Sequence, residues 1–107
     1  MTISVKVLAE GQLANAKGTL YTVPAATTSY VKFFSVYNAA ATNQDVEIFV
    51  KAGSTSRQVA FISLAPRQSA RVIDKDEALN LEAGDLIEGN STDATSVDYV
   101  ITGAEEA

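Results

Sequence analysis

The densest run of chemically able side chains is DKDEALNLEAGDLIE, residues 74–88, which holds Asp74, Asp76, Glu77, Glu82, Asp85 and Glu88. Closely spaced carboxylates suggest two chemistries: calcium binding and acid–base work on a glycosidic bond. A calcium loop needs several oxygen ligands at set intervals and a glycine at its sharp turn. Here Asp74-Lys75-Asp76-Glu77 begins plausibly, but a lysine stands among the ligands and the central glycine and closing glutamate are missing. Glycoside hydrolysis needs two carboxylates across a sugar cleft. Such clefts are floored with rings, and this chain has only four Tyr and four Phe, five of them between Tyr30 and Phe49. The run therefore reads as solvated loop charge.

The other reactive classes are thinner still. Histidine, cysteine and tryptophan are absent. The commonest general base, the thiolate nucleophile and the imidazole or thiolate metal ligands are thus not available. Serines and threonines are plentiful, but none lies in G-x-S-x-G, and no dinucleotide or P-loop glycine motif occurs. No catalytic residue, cofactor or metal ligand is assigned. Thirteen acids against 8 bases give a net charge of −5, which disfavours a nucleic-acid partner. Apolar runs are only a few residues long, so no membrane span is expected, and Met1-Thr2-Ile3-Ser4-Val5-Lys6 does not read as a signal peptide. The 107 residues suit one domain that buries about two-thirds of its surface. With no disulfide available, stability comes from packing, or from packing against other copies.

The elements that would position these residues are strands. Val46, Ile48 and Val50 alternate with Asp45, Glu47 and Lys51, and Val97, Tyr99 and Ile101 alternate with Asp98 and Thr102. SYVKFFSVYN, residues 29–38, is apolar on both faces, as is VAFISL, residues 59–64. Strict alternation places Tyr30, Lys32, Phe34 and Val36 on one face and Val31, Phe33, Ser35 and Tyr37 on the other. Shorter pieces are Arg71 to Ile73, Leu79 to Leu81 and Leu86-Ile87. Turn signals recur about every 8–12 residues, as in sandwiches; they include Pro24-Ala25, Asn38 to Asn43, Gly84-Asp85, Gly89-Asn90 and Gly103. LAEGQLANAK, residues 8–17, is interrupted as a helix by Gly11 and reads as a loop or irregular arm. The fold class expected is all-β: a single-domain antiparallel β-sandwich, jelly-roll-like, with about 7–9 short strands. Residues 1–11 form an N-terminal arm or first strand, 12–104 the sandwich, and 105–107 a flexible acidic tail.

Pro24 has no N–H to give a ladder, so it ends the strand Leu20-Tyr21-Thr22-Val23. Gly84 suits a positive φ and Asp85 suits bonding to nearby amides. The rings Tyr30, Phe33, Tyr37 and Phe49 are either core or subunit contact, since aromatics gather at interface centres. Ile3, Val5 and Val7 alternate along an arm that either pairs with a neighbour's sheet edge or forms the first strand of its own sandwich.

GTLYTVPA, then a strand ending in Asn38, then Leu64-Ala65-Pro66, LNLEAGDLIEGN and SVDYVITG, resembles small tailed-phage virion proteins over about residues 12–104. In these, LYTVPAG opens a strand and L-x-L-x-A-G-D-x-I precedes the last one; this chain has Ala26 where the pattern often has glycine. The resemblance implies a sandwich or jelly roll made in the host cytoplasm and carried on the outer surface of the capsid. It implies a decoration or cement protein whose partners are the major capsid protein and other copies of itself, a trimer favoured. Head-fibre, neck and tail or receptor-binding modules, some glycan-binding, share the look. The interface residues expected are Ile3, Val5, Val7, Tyr30, Phe33, Tyr37 and Phe49, with Pro24, Asn38, Gly84 and Asp85 shaping turns.

Overall fold

A computed structural model describes residues 2–73 and 79–107. They form β1 (Ile3–Gln12), β2 (Gly18–Thr22), β3 (Thr28–Asn38), β4 (Gln44–Ala52), β5 (Thr55–Leu64), β6 (Ser69–Ile73), β7 (Leu79–Leu81), β8 (Leu86–Ser91) and β9 (Val97–Glu106). One sheet runs β1-β9-β3-β6, with β7 also on β3; the other runs β2-β8-β4-β5. All ladders are antiparallel. Strands close in sequence mostly lie in opposite sheets, and β4–β5 is the one hairpin between consecutive strands among the described residues. This is the strand order of a jelly roll, as expected. The acids Asp74, Asp76 and Glu77 lie outside the described residues.

The layers meet over Phe34, Val36, Val31, Val46, Ile48, Leu64, Ile87, Val97, Ile101 and Leu13, all essentially sealed from solvent. Phe34 and Tyr99 meet edge to face at 6.5 Å between ring centres. The alternating residues of β4 and β9 supply this core as their period predicts.

Four sequence expectations need correction. Residues 8–12 are not a loop: Leu8 to Gln12 continue β1, and the extended backbone at Gly11 lies opposite Tyr99. Gly89 and Gly103 are not turns; they sit inside β8 and β9. They are glycines because neighbours come too close for a side chain. A Cβ on Gly103 would stand 1.9 Å from the Tyr30 carbonyl oxygen. The terminal acids are not a free tail either: Glu105 and Glu106 belong to β9, and Thr2 and Ala107 exchange both backbone hydrogen bonds at 2.9 Å.

The faces of β3 also depart from strict alternation. Val31 opposes Gly103 and Phe33 opposes Thr102, so Lys32 has no opposite number on β9. This bulge shifts the phase of the strand by one residue. Ser29, Val31, Phe34, Val36 and Asn38 point inward, while Tyr30, Phe33, Ser35 and Tyr37 lie on the outer side. The two groups read by strict alternation are therefore each split at Lys32.

The residue after the end of β2 meets the Ala-Gly-Asp turn. Val23 donates to the Asp85 carbonyl at 3.0 Å and Gly84 donates to the Val23 carbonyl at 3.1 Å. Gly84 has φ +88°, and an Asp85 carboxylate oxygen accepts from the Glu82 amide at 2.9 Å. Pro24 follows the last of these bonds and ends the strand. The next turn places Ala26 at φ 57°, a left-handed conformation that costs a residue with Cβ about 1–2 kcal/mol. Ala26→Gly should therefore stabilise the fold by about 0.5–1 kcal/mol even after the added freedom of the unfolded glycine. A thermal melt should show a midpoint about 3–6 °C higher; an unchanged or lower midpoint contradicts the strain.

Candidate protein-docking surface

The half of the first sheet nearest the termini is built inside out. On its inner side the residues are polar. Ser29, Glu105 and Ser4 oppose one another across β3, β9 and β1, and Lys6 follows on β1. The Lys6 ammonium contacts Glu105 Oε1 at 2.7 Å. The Tyr21 hydroxyl, reaching over from the second sheet, donates to Glu105 Oε2 at 2.6 Å and accepts from Ser29 Oγ at 2.6 Å. With polar groups inside, the alternate residues of β1 are forced outward, and these are Ile3, Val5 and Val7, exposed by 61%, 81% and 53%.

The polar cluster titrates at both ends of the pH scale. Its hydrogen bond with Lys6, then that with Tyr21, holds the Glu105 carboxyl below its ordinary value. A depressed carboxylate stabilises the fold above its unfolded pKa and loses that contribution as pH falls through the folded one. Burial, then the bond to Glu105, pushes Tyr21 up to about 12. A raised phenol contributes stability fully below its unfolded value near 10, and loses it as pH climbs toward 12. Urea midpoints measured across pH should fall on the acid side below about 4.5 and on the alkaline side above about 10. Tyr21→Phe should flatten the alkaline limb; an unchanged alkaline limb contradicts the assignment.

The outer side of the same sheet is a set of apolar rows. Across the ladders Val5 lies beside Ala104 and Tyr30, and Val7 beside Thr102 and Phe33. Val100 and Tyr37 extend the face, each 38% exposed. Small Ala104 floors a groove of about 440 Å³ walled by Ile3 and Val5 on one side and Tyr30 and Lys32 on the other. Glu106 closes one end, and its carboxylate accepts from the Tyr30 hydroxyl at 2.9 Å, which raises the phenol's pKa. The Arg71 guanidinium stacks 4.9 Å from the Phe33 ring centre. Six of the seven interface residues read from the sequence, Ile3, Val5, Val7, Tyr30, Phe33 and Tyr37, thus share this one face.

Phe49 does not join them. It lies on the outer side of the second sheet, across the thickness of the sandwich, with the Lys17 ammonium 4.6 Å from its ring centre. Phe61, 59% exposed, opposes Glu47 on that same side. Val100 and Ala104 belong to the apolar face and were not singled out from the sequence. Their signal was available: once Val97, Tyr99 and Ile101 point inward, Val100 must point outward. Asn38 is buried and its side chain bonds four backbone groups of two loops. Among the described residues no three acids gather as a cation site. Asp85 serves its turn and Glu88 accepts from Ser56 at 2.7 Å.

No protein-family model matches the chain, and no curated protein matches it. Among solved structures it is similar to one described as Bacillus endospore appendages that form a novel family of disulfide-linked pili. That likeness has a TM-score of 0.56 and 19% identity, covering 99% of this chain and 88% of the other. At that identity the likeness extends to the fold alone.

Proposed function

We propose that the protein is a structural adhesive of a phage virion, a decoration or cement subunit that binds the outer surface of the capsid and ties neighbouring shell subunits together. The observation that carries this reading is the exposed apolar outer face of the first sheet, Ile3, Val5 and Val7 with Tyr30, Phe33, Tyr37 and Val100. Folded monomers rarely leave contiguous apolar faces to water unless another surface covers them. The sequence resemblance supplies the partner, the major capsid protein. Binding of this kind uses apolar burial with a few rim charges, here Lys32, Glu106 and Arg71, and needs no chemical step.

The pilus likeness favours a second reading, a repeating fibre or head-fibre module in which copies contact each other end to end. Absence of cysteine means such copies could not be disulfide-linked. The two readings separate by copy number on purified virions. A decoration protein is present in numbers comparable to the shell subunit and raises the temperature at which heads release DNA. A fibre or tail module is present in few copies and leaves that temperature unchanged.

A further inference from the structure

The open edge of β1 is self-complementary. Thr2 and Ala107 form a hydrogen-bonded pair, and in antiparallel ladders such pairs alternate with non-bonded ones. Ser4 and Lys6 therefore direct their backbone groups to Glu105 and Gly103 on β9. Ile3, Val5 and Val7 direct theirs to the other side, where β1 has no neighbouring strand among the described residues. The register jumps between Val7 and Ala9, so the flat part of the edge is Ile3 to Val7, with Val5 at its middle.

Among the described residues, nothing protects that flat run. Edges are normally blunted by proline, bulges, outward charge or shortness. Here the single charge, Lys6, is turned inward onto Glu105. The other long edge, β5, carries Arg57 and a bulge at Val59, and β2 and β6 have only 5 residues each.

We propose that β1 pairs antiparallel with β1 of a second copy about a two-fold axis through Val5, placing Val5 opposite its twin and Ile3 opposite Val7. This register sets odd positions against odd, so every free N–H and C=O of Ile3, Val5 and Val7 finds a partner. A shift of one residue sets free groups against spent ones and fails. The axis keeps like faces together, so the outward Ile3, Val5 and Val7 of both copies merge into one apolar band beside Tyr30 and Phe33. On the inner side Ser4 meets Lys6, and each Lys6 keeps its own Glu105, so the contact adds little repulsion despite the −5 charge. A second copy fits better than a foreign strand because one short segment satisfies both halves of the contact. The area is well below the roughly 1,600 Å² of a standard interface. Pairing is consequently weak in dilute solution and strengthens where copies are held side by side. It stands apart from the three-fold contact the resemblance implies, and it does not depend on capsid binding.

The chain has no cysteine, so single thiols report the geometry cleanly. Val5→Cys puts two thiols across the axis at a Cα separation of about 5.5 Å, within disulfide range. Val7→Cys leaves them about 14 Å apart, out of range. Under mild oxidation of the isolated protein at about 100 µM, Val5→Cys should form a covalent dimer at least tenfold faster than Val7→Cys. A mixture of Ile3→Cys and Val7→Cys should cross-link as the heterodimer only, which gives the same readout if Val5→Cys folds poorly. Val5→Pro removes a free edge N–H without touching the β9 ladder; it should melt near the parent while losing the concentration-dependent rise in sedimentation coefficient. Equal rates for Val5→Cys and Val7→Cys, or no heterodimer from the mixture, would overturn the proposal.

Discussion

Gly103→Ala should leave the protein largely unfolded. The added methyl would lie 1.9 Å from the Tyr30 carbonyl oxygen, 2.9 Å from its carbonyl carbon and 3.1 Å from the Val31 Cα. All three are backbone atoms of β3, and β3 cannot retreat because β6 and β7 pair with its far side. The close approach belongs to the bulge at Lys32, where β3 folds in toward β9. Relieving it would break ladder bonds on both sides, a loss of more than about 4 kcal/mol from a total stability of about 5–15 kcal/mol. The expected readout is a circular dichroism spectrum without a cooperative melt, or a midpoint lower by about 20 °C or more. Two other glycines grade the effect. A Cβ on Gly89 would meet Ile48 Cδ1 at 2.9 Å, the Glu47 carbonyl oxygen at 3.0 Å and Leu20 Cδ1 at 3.1 Å, so Gly89→Ala should cost about 1–3 kcal/mol as the side-chain ends yield. Gly18 has only the Ala16 carbonyl oxygen, at 3.9 Å, and Gly18→Ala should change stability by less than about 0.5 kcal/mol. A Gly103→Ala protein as stable as Gly18→Ala would contradict the packing of β3 on β9.

Asn38→Ala should be the next most damaging change. Asn38 is fully buried at the end of β3. Its side-chain amide donates to the carbonyls of Thr42 at 2.8 Å, Ala65 at 3.1 Å and Leu64 at 3.3 Å, and its carbonyl oxygen accepts from the Ala40 amide at 2.9 Å. Its own backbone bonds Gln68 and Arg67. One residue thus fastens the loop after β3 to the loop after β5. Truncation strands several backbone groups and should cost about 3–4 kcal/mol, a fall of about 12–25 °C in the melting midpoint. Asn38→Asp tests the cause. It keeps the shape but replaces the donor with a carboxylate aimed at carbonyl oxygens. It should be as harmful as alanine at neutral pH and recover partly on acidification, as the protonated acid regains one donor. An Asp variant insensitive to acid would contradict the role given to the amide.

Asn38 shows what the sequence makes legible. An asparagine closing an apolar run marks a chain reversal, and the position was identifiable; the loops it ties together were not, because they are distant in sequence. Period-two alternation in β4 and β9 revealed core residues directly. The same alternation in β1 revealed two faces but not which one turns inward. That choice depends on Tyr21 and Ser29, which bring a polar interior to this end of the sandwich. The bulge at Lys32 left no trace in composition, since an extra residue in a strand looks like any other. Gly89 and Gly103 misled for a related reason. Glycine marks tight backbone as readily as turns, and only the neighbouring strand distinguishes them. The rings of β3 were found, but the phase shift decided that Phe34 is core while Tyr30, Phe33 and Tyr37 face out, and the separate sheet decided that Phe49 is elsewhere.

The proposed role rests on adhesion through the outer face of the first sheet. Co-sedimentation with assembled phage heads that lack this protein tests the proposed capsid-binding role most directly. The folded parent should pellet with heads saturably and in numbers comparable to the shell subunits, while Tyr37→Lys with Val100→Lys, two outward substitutions that leave the core intact, should stay in the supernatant. A parent that never pellets with heads, or a doubly substituted protein that pellets as well as the parent, would contradict it.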